Sequence, residues 1–178
     1  GGTLGLEWSS LRELVDILLE DSAHLQEEDA RHANRYGYSK HHPAEPLYTS
    51  EDADQAMKHF RSADFGQPVT IGPFRVTFFR AGHILGAASV RVECGGRSIT
   101  FSGDVGRPDD PVMTAPDALA ATDWLVVEST YGDRLHAEHD PYETLADIVS
   151  RTAARGGTVL LPAFAVGRAQ TLMYLLSR

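Results

Sequence analysis

The chain has 178 residues, of which 42% are hydrophobic and 23% are charged, and this composition predicts a globular protein with one ordinary core. No apolar run approaches the roughly 20 residues of a membrane-spanning helix, and the N-terminus lacks a signal-peptide pattern, so we predict a cytoplasmic protein without a membrane segment. The single cysteine, Cys94, excludes an internal disulfide framework and a multi-cysteine zinc site. The net charge of -9 argues against broad electrostatic binding to nucleic acid, although a few phosphates can still be held locally.

The first third of the chain is predicted to be mainly helical. Ser10-Leu-Arg-Glu13 reads as a capping box ahead of apolar residues at helical spacing, which predicts a helix from Ser10 into the low thirties. Glycine, paired histidines and two prolines between Tyr36 and Pro46 predict a loop. Ser50 is then predicted to cap a short helix that ends near Phe60.

The middle of the chain alternates apolar and polar residues, a period typical of strands. This alternation predicts strands over Phe74–Phe79, Val90–Cys94 and Ile99–Phe101. Gly95 and Gly96 lie between two of these runs and predict a tight hairpin, because both central positions of the favoured turn need a positive φ.

The last third of the chain is predicted to alternate strands and helices. Apolar runs at Trp124–Val127 and Thr158–Leu161 flank a helix that Pro141 begins and Gly156 ends. Two buried strands joined by a helix predict a right-handed parallel crossover. Helical spacing resumes over Arg168–Leu176.

Three polar residues lie where a strand pattern gives way to a glycine-containing turn: His83, Asp104 and Glu128. Strand ends can direct such side chains into one cleft, and imidazole and carboxylate groups are suitable ligands for zinc or a related divalent ion. Residue type alone leaves a second interpretation open, in which His83 is hydrogen-bonded within the fold and Gly103-Asp104 is an ordinary turn. His136 and His139 precede Pro141 in a polar loop, and we interpret them as surface residues.

A glycine and an arginine follow the last apolar run. Gly167 and Arg168 open a predicted helix, whose free backbone N–H groups can bind an anion while Arg168 makes a forked contact with phosphate. The alternative is a plain connector with a solvated Arg168, and chemistry alone leaves both interpretations open.

Taken in order, four motifs resemble the metallo-β-lactamase superfamily in its β-CASP branch, which contains RNA-processing nucleases. They are Ala81-Gly-His-Ile-Leu-Gly, Phe101-Ser-Gly-Asp-Val-Gly-Arg, Glu128-Ser-Thr-Tyr-Gly-Asp-Arg and Pro162-Ala-Phe-Ala-Val-Gly-Arg. The resemblance implies an α/β fold, made of the second half of a metallo-β-lactamase αββα sandwich joined to the start of a β-CASP α/β domain. It implies domains at 1–131 and 132–178.

The resemblance also implies roles for individual residues in the hydrolysis of RNA phosphodiester bonds. His83 and Asp104 would be metal ligands in a site for two zinc ions, with Asp104 bridging the ions. Asp104 and Glu128 would have catalytic roles, Glu128 by orienting a later histidine. Gly167 and Arg168 would bind substrate phosphate.

Departures from the family pattern set further expectations. The His-x-His-x-Asp-His signature is absent and the chain stops at Arg178 soon after an apolar run, so we expect a truncated piece of a ribonuclease that is inactive alone and binds zinc weakly at most. With the facing half of the sandwich missing, apolar strand residues are expected to be uncovered and to favour a homo-oligomer. The alternatives are a non-catalytic scaffold or RNA-binding subunit, and a small-molecule hydrolase of the same superfamily.

Overall fold

The computed structural model describes residues 8–135, 140–164 and 166–177. The chain divides into two compact units, Gly1–Asp64 and Phe65–Arg178. His136 and His139, interpreted above as surface residues, lie outside the described residues. Within the described ranges, no helix combines the length and the apolar character needed to cross a bilayer.

Residues 8–64 of the first unit form two helices, α1 (Trp8–Tyr36) and α2 (Ser50–Met57). Both predicted helices are confirmed, but Ser10 lies inside α1 rather than at its start, and the cap of α2 is Thr49 rather than Ser50. Thr49 is extended, its hydroxyl accepts from the N–H of Asp52, and the Asp52 carboxylate accepts from the N–H of Thr49. This reciprocal capping box satisfies two N–H groups that a helix start leaves free. The buried apolar side chains of the unit are mostly small: Ala23, Ala30, Ala33, Ala53 and Met57.

The second unit is built on one five-stranded sheet in the order β1-β2-β3-β4-β5. Its strands are β1 (Pro68–Ile71), β2 (Phe74–Arg80), β3 (Ala88–Cys94), β4 (Arg97–Phe101) and β5 (Trp124–Val126). The first four strands are antiparallel neighbours, whereas β5 runs parallel to β4. The predicted Gly95-Gly96 hairpin is confirmed, with φ of 58° and 76° at the two glycines. The short edge strand β1 is an element that the sequence analysis missed.

Two helices follow the sheet, α3 (Pro141–Ala154) and α4 (Arg168–Leu176), and both were predicted. The predicted strand at Thr158–Leu161 is wrong, because these residues have no regular secondary structure. The predicted crossover between that run and Trp124–Val127 is therefore wrong as well. An apolar run becomes a strand only where another backbone pairs with it, and β5 instead joins β4 through the connection 102–123.

Apolar strand residues are partly uncovered, as expected. Phe74 is 45% exposed and Val126 is 50% exposed, although Val76 is buried. The buried side chains along the sheet are instead largely small and polar: Thr77, Ser89, Ser98, Thr100 and Ser102. The sheet of this chain thus keeps apolar surface available for further contacts.

Candidate active site

The candidate site lies at one edge of the sheet, where three strands end. Strands β2, β4 and β5 run in the same direction, because β3 is antiparallel to both β2 and β4 and β5 is parallel to β4. Their C-terminal ends therefore lie at one edge, and His83, Asp104 and Glu128 each follow one of these ends. A rigid sheet thus positions three loops whose side chains have metal-binding or acid–base chemistry.

Two glycines allow the first two loops to touch. The N–H of Gly106 donates to the carbonyl oxygen of Ala81 at 2.7 Å, and a Cβ on Gly106 would overlap the backbone of Gly82. This approach brings the His83 Nε2 within 3.9 Å of the Asp104 Oδ2. Both side chains stay accessible, at 48% and 73% exposure. The two predicted metal ligands thus meet in an open position.

Glu128 is tied to the loop that carries Asp104. Its Oε1 accepts from the N–H of Val105 at 2.6 Å, and its Oε2 accepts from the hydroxyl of Thr130 at 2.7 Å. The Val105 N–H is the main cause that holds the pKa of Glu128 below its ordinary value, followed by the Thr130 hydroxyl, with a smaller contribution from His83. The carboxylate therefore stays ionised and fixes the residue next to Asp104.

The buried residue Ser102 connects the loops that carry Asp104 and Glu128. The hydroxyl of Ser102 accepts from the N–H of Glu128 at 3.0 Å and donates to the carbonyl oxygen of Gly103. The hydroxyl of Ser89 donates to the carbonyl oxygen of Ser102 at 2.7 Å. Ser89, Ser102 and Thr130 were not predicted as site residues. The signal in the sequence was that Ser102 and Thr130 each lie two residues from Asp104 or Glu128.

The predicted phosphate-binding turn lies beside the loop that carries His83. Gly167 has φ of +83°, and a Cβ there would lie 2.8 Å from the Ile84 Cγ2. The start of α4 is therefore packed against the residue that follows His83. The Arg168 guanidinium lies over the Phe164 ring, 5.5 Å from its centroid. The structure thus brings all three motifs and the Gly167 turn to one region.

The donor set fits part of a metal site. His83 supplies an imidazole and Asp104 a carboxylate, both of which are suitable zinc ligands. A catalytic zinc normally has about three protein ligands, and the described residues contain no group of three histidine, cysteine or acidic side chains able to hold an ion. Glu128 is already engaged by Val105 and Thr130. These residues therefore offer two donors suited to a metal ion.

Comparisons with known proteins identify relatives of the chain. Ribonuclease TTHA0252 of Thermus thermophilus is 32% identical over 164 residues, which is 92% of this chain and 34% of the relative. Endoribonuclease YSH1 of Eremothecium gossypii is 37% identical over 134 residues, or 74% of this chain and 17% of the relative. Cleavage and polyadenylation specificity factor subunit 3-I of Arabidopsis thaliana is 36% identical over 132 residues, or 73% and 19%. No protein-family model matches the chain.

The chain belongs to the β-CASP branch of the metallo-β-lactamase superfamily. It spans about one third of the length of the Thermus relative and less than one fifth of the other two. Its α/β architecture, with a mixed five-stranded sheet and four helices, agrees with part of the β-CASP metallo-β-lactamase fold. The division into family domains at 131 and 132 stays a prediction.

Proposed function

We propose that this chain forms part of a metal-dependent ribonuclease that hydrolyses RNA phosphodiester bonds. The observation that carries the proposal is the approach of the His83 imidazole to the Asp104 carboxylate, 3.9 Å apart at the edge where β2, β4 and β5 end. The names of the relatives, which are ribonucleases and endoribonucleases, support the same reaction.

His83 and Asp104 are the residues that would hold metal, and we propose zinc, with two ions in the whole protein. Such ions supply Lewis-acid chemistry, which makes water a better nucleophile and stabilises negative charge on the phosphate. The open exposure of both side chains leaves room for a phosphodiester beside them.

The other site residues are proposed to orient and bind. Glu128 keeps the backbone next to Asp104 in place through the Val105 N–H. Gly167 and Arg168 bind a substrate phosphate at the start of α4, with the Arg168 guanidinium making a forked contact. Because Gly167 packs on Ile84, this phosphate would lie close to His83. The proposal places the metal ligands and Glu128 in a domain ending near residue 131, the phosphate-binding turn in the next domain, and the protein in the cytoplasm.

Cleavage of a labelled single-stranded RNA by the full-length gene product tests the proposal. We expect zinc-dependent cleavage that a chelator removes and that His83→Ala and Asp104→Asn each lower by at least about a hundredfold. His24→Ala is the matched control, because His24 also lies beside a carboxylate but in the other unit, and it should leave cleavage unchanged.

Two other outcomes would replace the proposal. RNA binding without cleavage, unaffected by His83→Ala, would instead indicate a non-catalytic RNA-binding subunit. Hydrolysis of small esters without any RNA cleavage would indicate a small-molecule hydrolase of the same superfamily.

A further inference from the structure

The end of α1 and the loop after it hold three cationic side chains, bordered by Glu27, Glu28 and Asp29 on one side and by Glu45 on the other. Residues 30–44 contain Arg31, Arg35 and Lys40 and no aspartate or glutamate, although the whole chain has a net charge of -9. All three cationic side chains are exposed. Cations gathered in this way can attract a polyanion locally even where the overall charge is unfavourable.

Three rings form a continuous exposed surface beside these cations, which we call the aromatic strip (His32, Tyr36 and Tyr38). The His32 ring lies 4.4 Å from the Tyr36 ring and 5.8 Å from the Tyr38 ring, measured between centroids. Tyr36 is 60% exposed and Tyr38 is 63% exposed. The Arg35 guanidinium lies 5.5 Å from the centroid of the Tyr36 ring. A cationic group therefore lies directly beside the aromatic strip.

The loop after α1, which carries Tyr38, is fixed although it has no regular secondary structure. The Asn34 side-chain amide donates to the carbonyl oxygen of Ala44 at 2.8 Å and accepts from its N–H at 2.7 Å. The Gln26 side chain accepts from the N–H of Leu47 at 3.0 Å. Polar side chains of α1 thus hold the loop in one conformation, which lowers the entropy cost of binding a ligand there.

A hollow of about 490 Å³ adjoins the strip and is lined by Glu28, Asp29, Arg31, His32 and Arg35. Its volume falls in the range of about 300–1,000 Å³ that is typical of small-ligand sites. The two arginines can contact phosphate oxygens, whereas the two carboxylates can accept hydrogen bonds from the amino groups of a base. This mixture suits a nucleotide unit better than a bare anion.

We propose that the aromatic strip and its flanking cations bind single-stranded RNA, with bases stacked on the tyrosines and phosphates held by the cations. The inference rests on the proposed function, which supplies RNA as the substrate. Stacking needs unpaired bases, so a duplex should bind more weakly. An anionic membrane is a poorer match, because juxtamembrane lipid binding typically uses clusters of about 4–8 lysines and arginines.

Fluorescence anisotropy with a labelled oligouridine and the purified chain tests the proposal at low salt. We expect Tyr38→Ala to weaken binding about tenfold, since loss of one stacking ring has an effect of that size. Tyr38→Phe keeps the ring and should restore binding. Arg35→Gln should weaken binding and reduce the slope of log affinity against log salt by about 0.7, the value for one phosphate of a single strand.

Phe60→Ala and Arg61→Gln are the matched controls, since they remove an exposed ring and an exposed cation from the same unit outside the strip. Both should bind oligouridine like the wild type. Equal binding by Tyr38→Ala and the wild type, equal losses in Phe60→Ala, or equal affinity for a duplex of the same length would overturn the proposal. Circular dichroism of every variant confirms that the comparison is made between folded proteins.

Failure of this inference is separable from failure of the proposed function. If the chain binds no oligouridine but the full-length protein cleaves RNA in a manner that depends on His83, the inference that the aromatic strip binds RNA is wrong and the ribonuclease proposal stands. If Tyr38→Ala weakens binding but no cleavage depends on His83, the strip stands as an RNA-binding surface without the proposed reaction.

Discussion

Strands β1 to β4 pair with their neighbours along the chain, while β5 reaches the sheet only after the long connection 102–123. Val76 in the hairpin strand β2 is buried, whereas β5 is at least half exposed at each of its residues, Trp124, Leu125 and Val126. Strand β5 is held at its two ends by carboxylates instead. Asp123 accepts from the N–H and hydroxyl of Ser98, and Glu128 accepts from the N–H of Val105. Pairing between neighbouring strands therefore builds most of the sheet, whereas hydrogen bonds from carboxylate side chains fix β5 and the candidate site at its end.

The largest expected effect comes from the contact that joins the β2 and β4 loops. Gly106→Ala would place a methyl group in the backbone of Gly82, and we expect a loss of about 3 kcal/mol in the free energy of unfolding, because the overlap needs a backbone shift. Urea unfolding measures this loss. Gly132→Ala is the control, since a Cβ there meets its neighbours at ordinary contact distance and should cost less than about 0.5 kcal/mol. Equal effects of the two variants would contradict the close packing of these loops.

Exposed apolar residues in β5 and directly after it predict self-association, as the sequence pattern does. Leu125 is 56% exposed and Val127 is 62% exposed. We expect Leu125→Lys to weaken self-association about tenfold or more, because burying a leucine contributes about 1.5–3 kcal/mol. Light scattering over a concentration series measures the change. Leu47→Lys alters a 93% exposed leucine of the other unit and should not affect association. A wild-type chain that stays monomeric at every concentration would contradict this prediction.

Acid should release β5 before it disrupts the hairpins. The Ser98 N–H is the main cause that lowers the pKa of Asp123, and the Val105 N–H has the same effect on the pKa of Glu128. A lowered pKa in the folded state means that these contacts stabilise the protein above the unfolded pKa and are lost as pH falls through the folded value. The loss should therefore begin below about pH 4.3, the ordinary glutamate pKa.

Hydrogen exchange at the N–H of Ser102, which donates to the Val126 carbonyl oxygen, follows the release of β5. Relative to the intrinsic exchange rate at each pH, the protection of this N–H should fall on acidification more than the protection of N–H groups within the β2–β3 ladder. Asp123→Asn should show faster exchange already at neutral pH, whereas Asp64→Asn, which changes an exposed carboxylate outside the sheet, should not. A uniform loss of protection across all strands would show that the sheet unfolds as one unit.

The smallest expected effect is at Thr130. Thr130→Val removes the hydroxyl that donates to Glu128 while keeping the shape of the side chain, so the N–H of Val105 should exchange roughly fivefold faster. The pKa of Glu128 should also rise toward its ordinary value, as NMR titration would detect. Thr130→Ser should behave like the wild type. Thr70→Val, in the edge strand β1, is the matched control.

Most elements follow from local patterns in the sequence. The alternation of apolar and polar residues predicted β2, β3 and β4, and the Gly95-Gly96 pair predicted the hairpin between β3 and β4. Both signals depend only on neighbours along the chain. Strand β1 was missed since it has only four residues and begins with a proline. The strand predicted at Thr158–Leu161 failed because apolar character alone does not supply a pairing partner.

The sequence by itself determined the motifs, the residue types of the site and the family, because these depend on the order of residues and not on their distances. It also indicated His83, Asp104 and Glu128 as a group. Only the tertiary structure decided that the His83 and Asp104 side chains lie 3.9 Å apart, and that Ser102 and Thr130 support Glu128. The physical reason is that the contacts of His83 with Asp104 and of Ser102 with Glu128 join residues from different loops. The spacing of those loops is set by strand direction and by a glycine contact that no local pattern encodes.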